Sequence, residues 1–408
     1  MTARSGASGG RRAGALAAVL ALAAALAGCG GAGRPAADLS WVPRPEVLPP
    51  VHEPNAQLPG QAVPLPRAPG GAPEPGSPNR SGPGRPGDPS VVASGLREPW
   101  GLVILPDGAA LVGERGTGRI LRIDPSGRTP ATEVMRIGGV DASGDGGLLG
   151  LALSPAYPED RLVFAYQTTR TDNRIIRFEL GGQPAAIRTD IPRGNAGNGG
   201  QLAFGPDNLL YVGTGDTGRP ELAEDRTSLA GKVLRLDEFG RPAPGNPTPG
   251  SPVYAAGHGN LAGICWTDTR QPFTTENDGS TAELNQELPG ADYGWSTGRP
   301  GSGGHPPALT FDTRVRPVGG CAVVRFGLFV ASLGGSRLLA VPLNGAGEPG
   351  RPRTLLAGVY GRLRTVQSAP DGALWLTTAN RDGAGHPVPA DDRVIRIMPP
   401  TETTTSPV

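Results

Sequence analysis

From residue 90 to residue 399 the apolar residues come in short runs set between Gly, Pro and Asp turns. Val91-Val92-Ala93 opens the series. Gly101 to Leu105, Ala110 to Gly113, Arg119 to Ile123, Leu148 to Leu153, Leu162 to Tyr166 and Arg174 to Phe178 follow it. No long stretch carries the period of an amphipathic helix, so these runs read as strands. In Arg119-Ile-Leu-Arg-Ile and Arg174-Ile-Ile-Arg-Phe, arginines interrupt the aliphatic residues. That pattern suits outer strands that keep one side wet.

The turns repeat. Pro106-Asp107-Gly108, Pro206-Asp207-Asn208 and Pro370-Asp371-Gly372 each sit between two apolar runs. Weaker echoes precede Arg161-Leu162-Val163-Phe164, surround Trp266-Thr267-Asp268 and precede Gly327-Leu328-Phe329-Val330. A period of roughly 45 to 60 residues belongs to propeller blades. The units count to six, so the chain predicts an all-β, six-bladed propeller with four-stranded antiparallel blades. The closing run Arg393-Val-Ile-Arg-Ile397 looks like an outer strand. It is expected to complete the blade that Val91–Leu96 begins. A propeller builds its sites from loops at the mouth of the central channel.

Composition adds an address rather than a chemistry. The net charge of +1 gives no field for nucleic acid or an acidic membrane surface. Arg11-Arg12 followed by the apolar run Ala13–Ala27 reads as an export signal, too short for a good membrane span. It ends in Leu26-Ala-Gly-Cys29, similar to a bacterial lipobox, in which cleavage before Cys29 leaves a diacylated N-terminus. Residues 1–28 are therefore expected to be a lipoprotein signal peptide, and the protein to be extracytoplasmic and lipid-anchored to the cell membrane. Sixteen of the 46 prolines fall within residues 30–89. That stretch lacks apolar periodicity, and with Cys29 it reads as a disordered linker over 29–89. Residues 400–408 read as a flexible tail. Two cysteines remain, Cys265 and Cys321. In an oxidising compartment they are a candidate disulfide, with two buried thiols as the alternative.

The motifs resemble the glucose/sorbosone dehydrogenase family. They include Pro99-Trp-Gly-Leu, Glu114-Arg-Gly-Thr-Gly-Arg-Ile-Leu, Gly146-Gly-Leu-Leu-Gly-Leu-Ala, Gly200-Gln-Leu-Ala-Phe-Gly-Pro-Asp, Tyr211-Val-Gly-Thr-Gly-Asp216, Gly231-Lys-Val-Leu-Arg-Leu and Tyr360-Gly-Arg-Leu-Arg-Thr. The resemblance runs from about Leu96 to Ile397. It implies a propeller that oxidises sugars with pyrroloquinoline quinone (PQQ) and calcium. Carried over by position, Arg362 and Arg364 would bind the quinone's carboxylates, and Asn260 would touch the cofactor. On a strand, residues two apart face one way, so both guanidinium groups could meet one acidic ligand. Glu276 would open a calcium-binding loop that is one residue short here. Glu283, Asn285 and Tyr293 match a second, structural calcium site, with Glu283 and Tyr293 as its metal-site residues. His258 reads as structural, and Asp216, Asp225 and Ser228 as turn and cap residues.

The departures from the family pattern concern chemistry. Where the family has His in His-Asn-Gly-Gly-Arg-Leu, this chain has Gly197, and Gln201 replaces the Arg. That His is the general base, and glycine has no group to take a proton. Gly259 replaces an Arg and Gly334 a Lys or Arg. His52, His305 and His386 lie in the linker or in Pro/Gly-rich loops and offer no replacement. No catalytic residue can be assigned. The expectation is a PQQ-dependent aldose dehydrogenase-like lipoprotein with impaired or lost activity and doubtful PQQ binding. The alternative is a non-catalytic propeller that presents its loops to a carbohydrate or a cell-envelope partner. A lactonase-like hydrolase would need a central metal cage, which the sequence does not assemble. A monomer is expected.

Overall fold

The computed structural model describes residues 87–278, 280–294, 304–325 and 327–400. The leader with Cys29, most of the linker and residues 401–408 lie outside the described residues. The chain is the six-bladed all-β propeller that its repeats imply, with six four-stranded antiparallel sheets.

Strand β1 (Val91–Ala93) comes first and joins the last blade. The first blade is β2 (Pro99–Ile104), β3 (Ala110–Glu114), β4 (Arg119–Ile123) and β5 (Thr132–Arg136). The second is β6 (Leu148–Leu153), β7 (Leu162–Thr168), β8 (Asn173–Glu179) and β9 (Ala185–Ile191), with helix α1 (Tyr157–Asp160) in its first hairpin. The third is β10 (Gly199–Phe204), β11 (Leu210–Thr214), β12 (Lys232–Leu236) and β13 (Val253–Ala256), with helix α2 (Pro220–Glu224) between β11 and β12. The fourth is β14 (Asn260–Trp266), β15 (Pro272–Asp278), β16 (Thr281–Gln286) and β17 (Leu309–Thr310). The fifth is β18 (Val318–Val324), β19 (Gly327–Ser332), β20 (Arg337–Pro342) and β21 (Arg353–Leu355). The sixth is β22 (Leu363–Ser368), β23 (Leu374–Thr378) and β24 (Val394–Ile397), completed by β1. Val91 pairs with Ile395 and Ala93 with Val394, so the two ends of the domain close the ring.

Burial follows position in the blade. The second strands β3 and β23 are buried at every residue, because each lies between two neighbouring blades. The outermost β5 and β21 are mostly exposed. Apolar residues gather at the blade interfaces rather than in one centre. Leu111 and Ile120 of the first blade pack with Leu148 and Phe178 of the second. Phe164 and Tyr166 of the second pack with Leu210 and Leu234 of the third. Trp375 and Val394 of the sixth pack with Leu102 and Val112 of the first. Each blade face is apolar because it is a buried sheet-to-sheet contact.

The repeated turns share one construction. In each, the Asp carboxylate accepts from the amide two residues on: Ala109 to Asp107 at 3.1 Å, Leu209 to Asp207 at 3.2 Å and Ala373 to Asp371 at 3.0 Å. The next residue takes positive φ: Gly108 at 84°, Asn208 at 60° and Gly372 at 81°. These are Asx turns. The same Asp then pairs with an arginine of the blade's third strand: Arg122 with Asp107 at 2.7 Å, Arg235 with Asp207 at 2.9 Å, and Arg396 with Asp371. The strand arginines that interrupt the aliphatic runs therefore hold turns. Arg393 corrects the reading of it as a solvated strand residue. It is buried, with its guanidinium 2.7 Å from Asp391 and donating to Tyr360 O at 3.2 Å.

The sulfurs of Cys265 on β14 and Cys321 on β18 are bonded, 2.07 Å apart, and join the inner strands of the fourth and fifth blades.

Candidate functional site at the channel mouth

The inner strands β2, β6, β10, β14, β18 and β22 neighbour one another in a closed ring. In an antiparallel blade the start of the first strand lies beside the loop joining the second to the third. Both sets of segments therefore meet at one end of the channel. A pocket of about 360 Å³ opens there. Trp100, Gly199, Asn260, Val318 and Arg364 reach it from inner strands. Arg115, Leu333 and Asp382 reach it from second-to-third-strand loops, and Asp145 from the approach to β6.

The structure brings Asn260, Arg362 and Arg364 together in this pocket. Arg362 lies just before β22, and its Nε and Nη2 donate to Asp382 Oδ2 at 2.9 and 2.8 Å. Arg364 stands 3.7 Å from that same oxygen. Two guanidinium groups thus share one carboxylate. Burial lowers the pKa of Arg364, and Arg115 and Arg362 act in the same direction, against Asp382 and Asp145. Asn260 accepts from Gly199 N at 2.9 Å through Oδ1, which leaves its NH2 as what it offers a ligand. Asn277 also lines the pocket, but its amide bridges Val318 N and O at 2.8 and 2.9 Å and acts as a strut.

Three charged pocket residues were not singled out from the sequence. Arg115 donates to Gly144 O and Gly146 O at 2.8 and 2.9 Å and to both oxygens of Glu98 at 3.1 Å. It pins the loop before β6. Asp145, on that loop, accepts from Gly197 N at 2.9 Å. Asp382 sits in the last blade's second-to-third-strand loop, the position Arg115 holds in the first. That shared place in the repeat is the signal that could have found both.

Gly197 has φ 66°, and a Cβ there would stand 2.5 Å from Asp216 Oδ1 and 3.1 Å from Thr217 N. The space a side chain would need is taken by Asp216, whose Oδ1 accepts from Gly218 N at 2.9 Å. At Gly334 a Cβ would lie 1.3 Å from Arg316 O, so this backbone admits no side chain. The two positions at which the family pattern has a base and a cation are closed by local structure as well as by sequence. Asp225 and Ser228 accept from Thr227 N at 2.8 Å and Ala230 N at 3.1 Å, as turn residues do. The loop they shape is fastened by Lys232, the chain's one lysine. It is wholly buried, and its Nζ donates to Leu222 O at 2.9 Å and to Ala223 O and Ala230 O at 2.7 Å. Burial lowers its pKa to about 8.

Beneath Asn260 lies a buried charged cluster. His258 Nδ1 is 3.0 Å from Glu276 Oε2, and Nε2 is 3.5 Å from Glu287 Oε2. Burial disfavours the imidazolium, but Glu287 and Glu276 outweigh it and raise the His258 pKa to about 10. Glu276 also accepts from Asn285 Nδ2 at 3.0 Å. Glu283 faces Glu276 across β15 and β16. Burial first, and the Glu276 charge second, push its pKa up to about 7. The Tyr293 hydroxyl donates to Gln286 O and accepts from Leu288 N at 3.1 Å, and its ring stacks on His258 at 4.7 Å. Glu283 and Tyr293 are thus engaged separately. Among the described residues no group of three or more His, Cys, Asp and Glu is arranged for a metal. These residues do not fit the expected calcium site. The loop that Glu276 opens runs through Gly279, outside the described residues.

Comparison with known proteins places this site in a lineage. A profile of the family described as Glucose / Sorbosone dehydrogenase matches residues 96–309. The PQQ-bound aldose sugar dehydrogenase of Streptomyces coelicolor is 44% identical, with 75% of this chain and 95% of that one aligned at a TM-score of 0.71. A Thermus thermophilus protein described as a putative oxidoreductase (glucose dehydrogenase) is 40% identical, with 75% and 98% aligned at a TM-score of 0.70. Quinoprotein glucose dehydrogenase B of Acinetobacter calcoaceticus is 29% identical over 51% of this chain. The chain spans a little over half the length of the first curated relatives it matches, 58% and 52%. The motifs, the six blades and these similarities agree: the chain belongs to the glucose/sorbosone dehydrogenase family.

Proposed function

We propose that this protein is an exported, lipid-anchored member of the family whose channel-mouth pocket binds a carbohydrate-class ligand without the family's oxidation step. The observation that carries this reading is Gly197. A proton acceptor is absent there, and Asp216 occupies the space one would need. General-base removal of a hydroxyl proton needs a titratable group within hydrogen-bond reach of the substrate. The pocket keeps groups suited to recognition: the Arg362–Asp382–Arg364 corner and the Asn260 amide. Small-ligand pockets span roughly 300–1,000 Å³, and this one is large enough for a monosaccharide.

PQQ does not fit this site as it fits the family pattern. Gly334 and Gly259 replace two cations, and the Gly334 backbone leaves no room for a side chain. The pocket arginines have internal partners, Arg115 in Glu98 and Arg362 in Asp382. PQQ affinity is accordingly weak, and what the chain's own residues do is hold and orient a ligand. Purified protein given excess PQQ and calcium, then an aldose panel, tests this reading by sugar-dependent dye reduction. No reduction above the sugar-free blank is expected, and saturable turnover of an aldose overturns the reading.

A further inference from the structure

Charge around the pocket is unevenly satisfied. Arg115 is closed by Glu98 and by backbone carbonyls. Arg362 donates two hydrogen bonds to Asp382 Oδ2. Arg364 has only the longer 3.7 Å approach to that already engaged oxygen as an ion pair among the described residues. Two cations share one anion at this corner, so one positive charge is left over. Asp145 also lines the pocket. Its Oδ2 is held by Gly197 N, and among the described residues its Oδ1 has no hydrogen bond. Asn260 adds an NH2 donor.

A ligand that satisfies all three groups carries a carboxylate for Arg364, a hydroxyl donor for Asp145 and a hydroxyl acceptor for Asn260. A neutral sugar leaves Arg364 without an anion, and a simple carboxylate leaves Asp145 and Asn260 without partners. Trp100, Leu261, Val318 and Leu333 supply an apolar wall for the ring or chain of carbons. We infer that the channel-mouth pocket takes an acidic sugar, a uronic or aldonic acid, with its carboxylate at Arg364 and its hydroxyls at Asp145 and Asn260. The inference rests on the reading that this pocket binds without oxidising. It narrows that reading to a substrate class.

The Gly197 environment is compatible with this orientation. The backbone amide of Gly197 fixes Asp145 at the pocket mouth, so the residue that lacks a base positions a hydroxyl acceptor instead. A carboxylate accepting from a hydroxyl makes a charge-assisted hydrogen bond, about twice as strong as a neutral one. The guanidinium–carboxylate contact is of the same kind and weakens with salt where it is open to solvent.

Calorimetric titration of the full chain with glucuronate, gluconate, glucose and acetate tests the inference. The two sugar acids are expected to bind at least about tenfold more tightly than glucose or acetate, the margin one charge-assisted contact gives. Arg364→Gln should remove the preference, and Arg364→Lys should retain part of it. Thermal melts of both variants establish that they are folded. Equal affinity for glucose and glucuronate overturns the inference, as does a preference that survives Arg364→Gln in a folded protein. In either case the binding reading stands if glucose binds and is not oxidised. Oxidation of glucose instead overturns the earlier reading, whichever sugar binds better. Absence of any sugar binding overturns both.

Discussion

His258 and Glu283 are two residues whose ionisation the fold has reversed from the ordinary pattern. His258 is held charged between Glu276 and Glu287, with a pKa raised to about 10. A raised cationic pKa gives stability that is complete below the unfolded value of 6.5 and is lost as pH rises through about 10. Glu283 is raised from 4.5 to about 7, so the folded state holds its proton more tightly and stability falls across that window as pH rises. Both groups point one way: the melting temperature should decline from pH 6.5 toward pH 10. Glu283→Gln, which removes a buried charge, should raise it above pH 7. A melting temperature that climbs between neutral and alkaline pH would contradict this account. The sequence placed His258 as structural but could not show why, because its partners Glu276 and Glu287 come from two other strand ends. Gly197 was legible as a missing base only by resemblance. That Asp216 fills the space is a tertiary fact. Asp145 and Asp382 were missed because a single acidic residue in a Gly-rich loop carries no pattern of its own.

Strands and turns were the most legible level. Each Pro-Asp-Gly or Pro-Asp-Asn motif marks the hairpin between a blade's first and second strands, because Asx chemistry and positive φ are local properties. Pairing of the turn Asp with a third-strand Arg was not legible, and Arg393 was misjudged, because it takes the whole sheet to show which arginine points where. Contacts between elements matter most where blades are joined. Cys265 and Cys321 tie β14 to β18 across 56 residues of sequence. A loop of that length gives about 4 kcal/mol in the chain-entropy model. Replacing both cysteines by serine should lower the urea midpoint by a corresponding amount while leaving the propeller folded. A shift equivalent to less than about 1 kcal/mol would show that the blade interface, rather than the bond, sets stability there.

Over the whole molecule, the ring closes through β1 on β24, and Tyr360 donates to Asp88 at 2.7 Å just upstream of that strand. The first strand of the domain was foreseen from the repeat, since five complete blades and one short of a strand leave a single place for it. We propose that the segment preceding it carries the protein on the membrane through a diacylated Cys29, on the strength of Leu26-Ala-Gly-Cys29. A Cys29→Ala variant should then appear in the soluble fraction, and unchanged membrane retention would reject the anchor. The same large-scale view frames the central claim, in which a complete family scaffold carries a channel mouth rebuilt around glycine. Sugar-dependent dye reduction by PQQ- and calcium-loaded protein, with Gly197→His measured alongside the wild type, tests it most directly. The account predicts that neither protein reduces dye above its sugar-free blank, since positive φ and Asp216 exclude a working histidine at 197. Sustained aldose turnover by the wild type would contradict it.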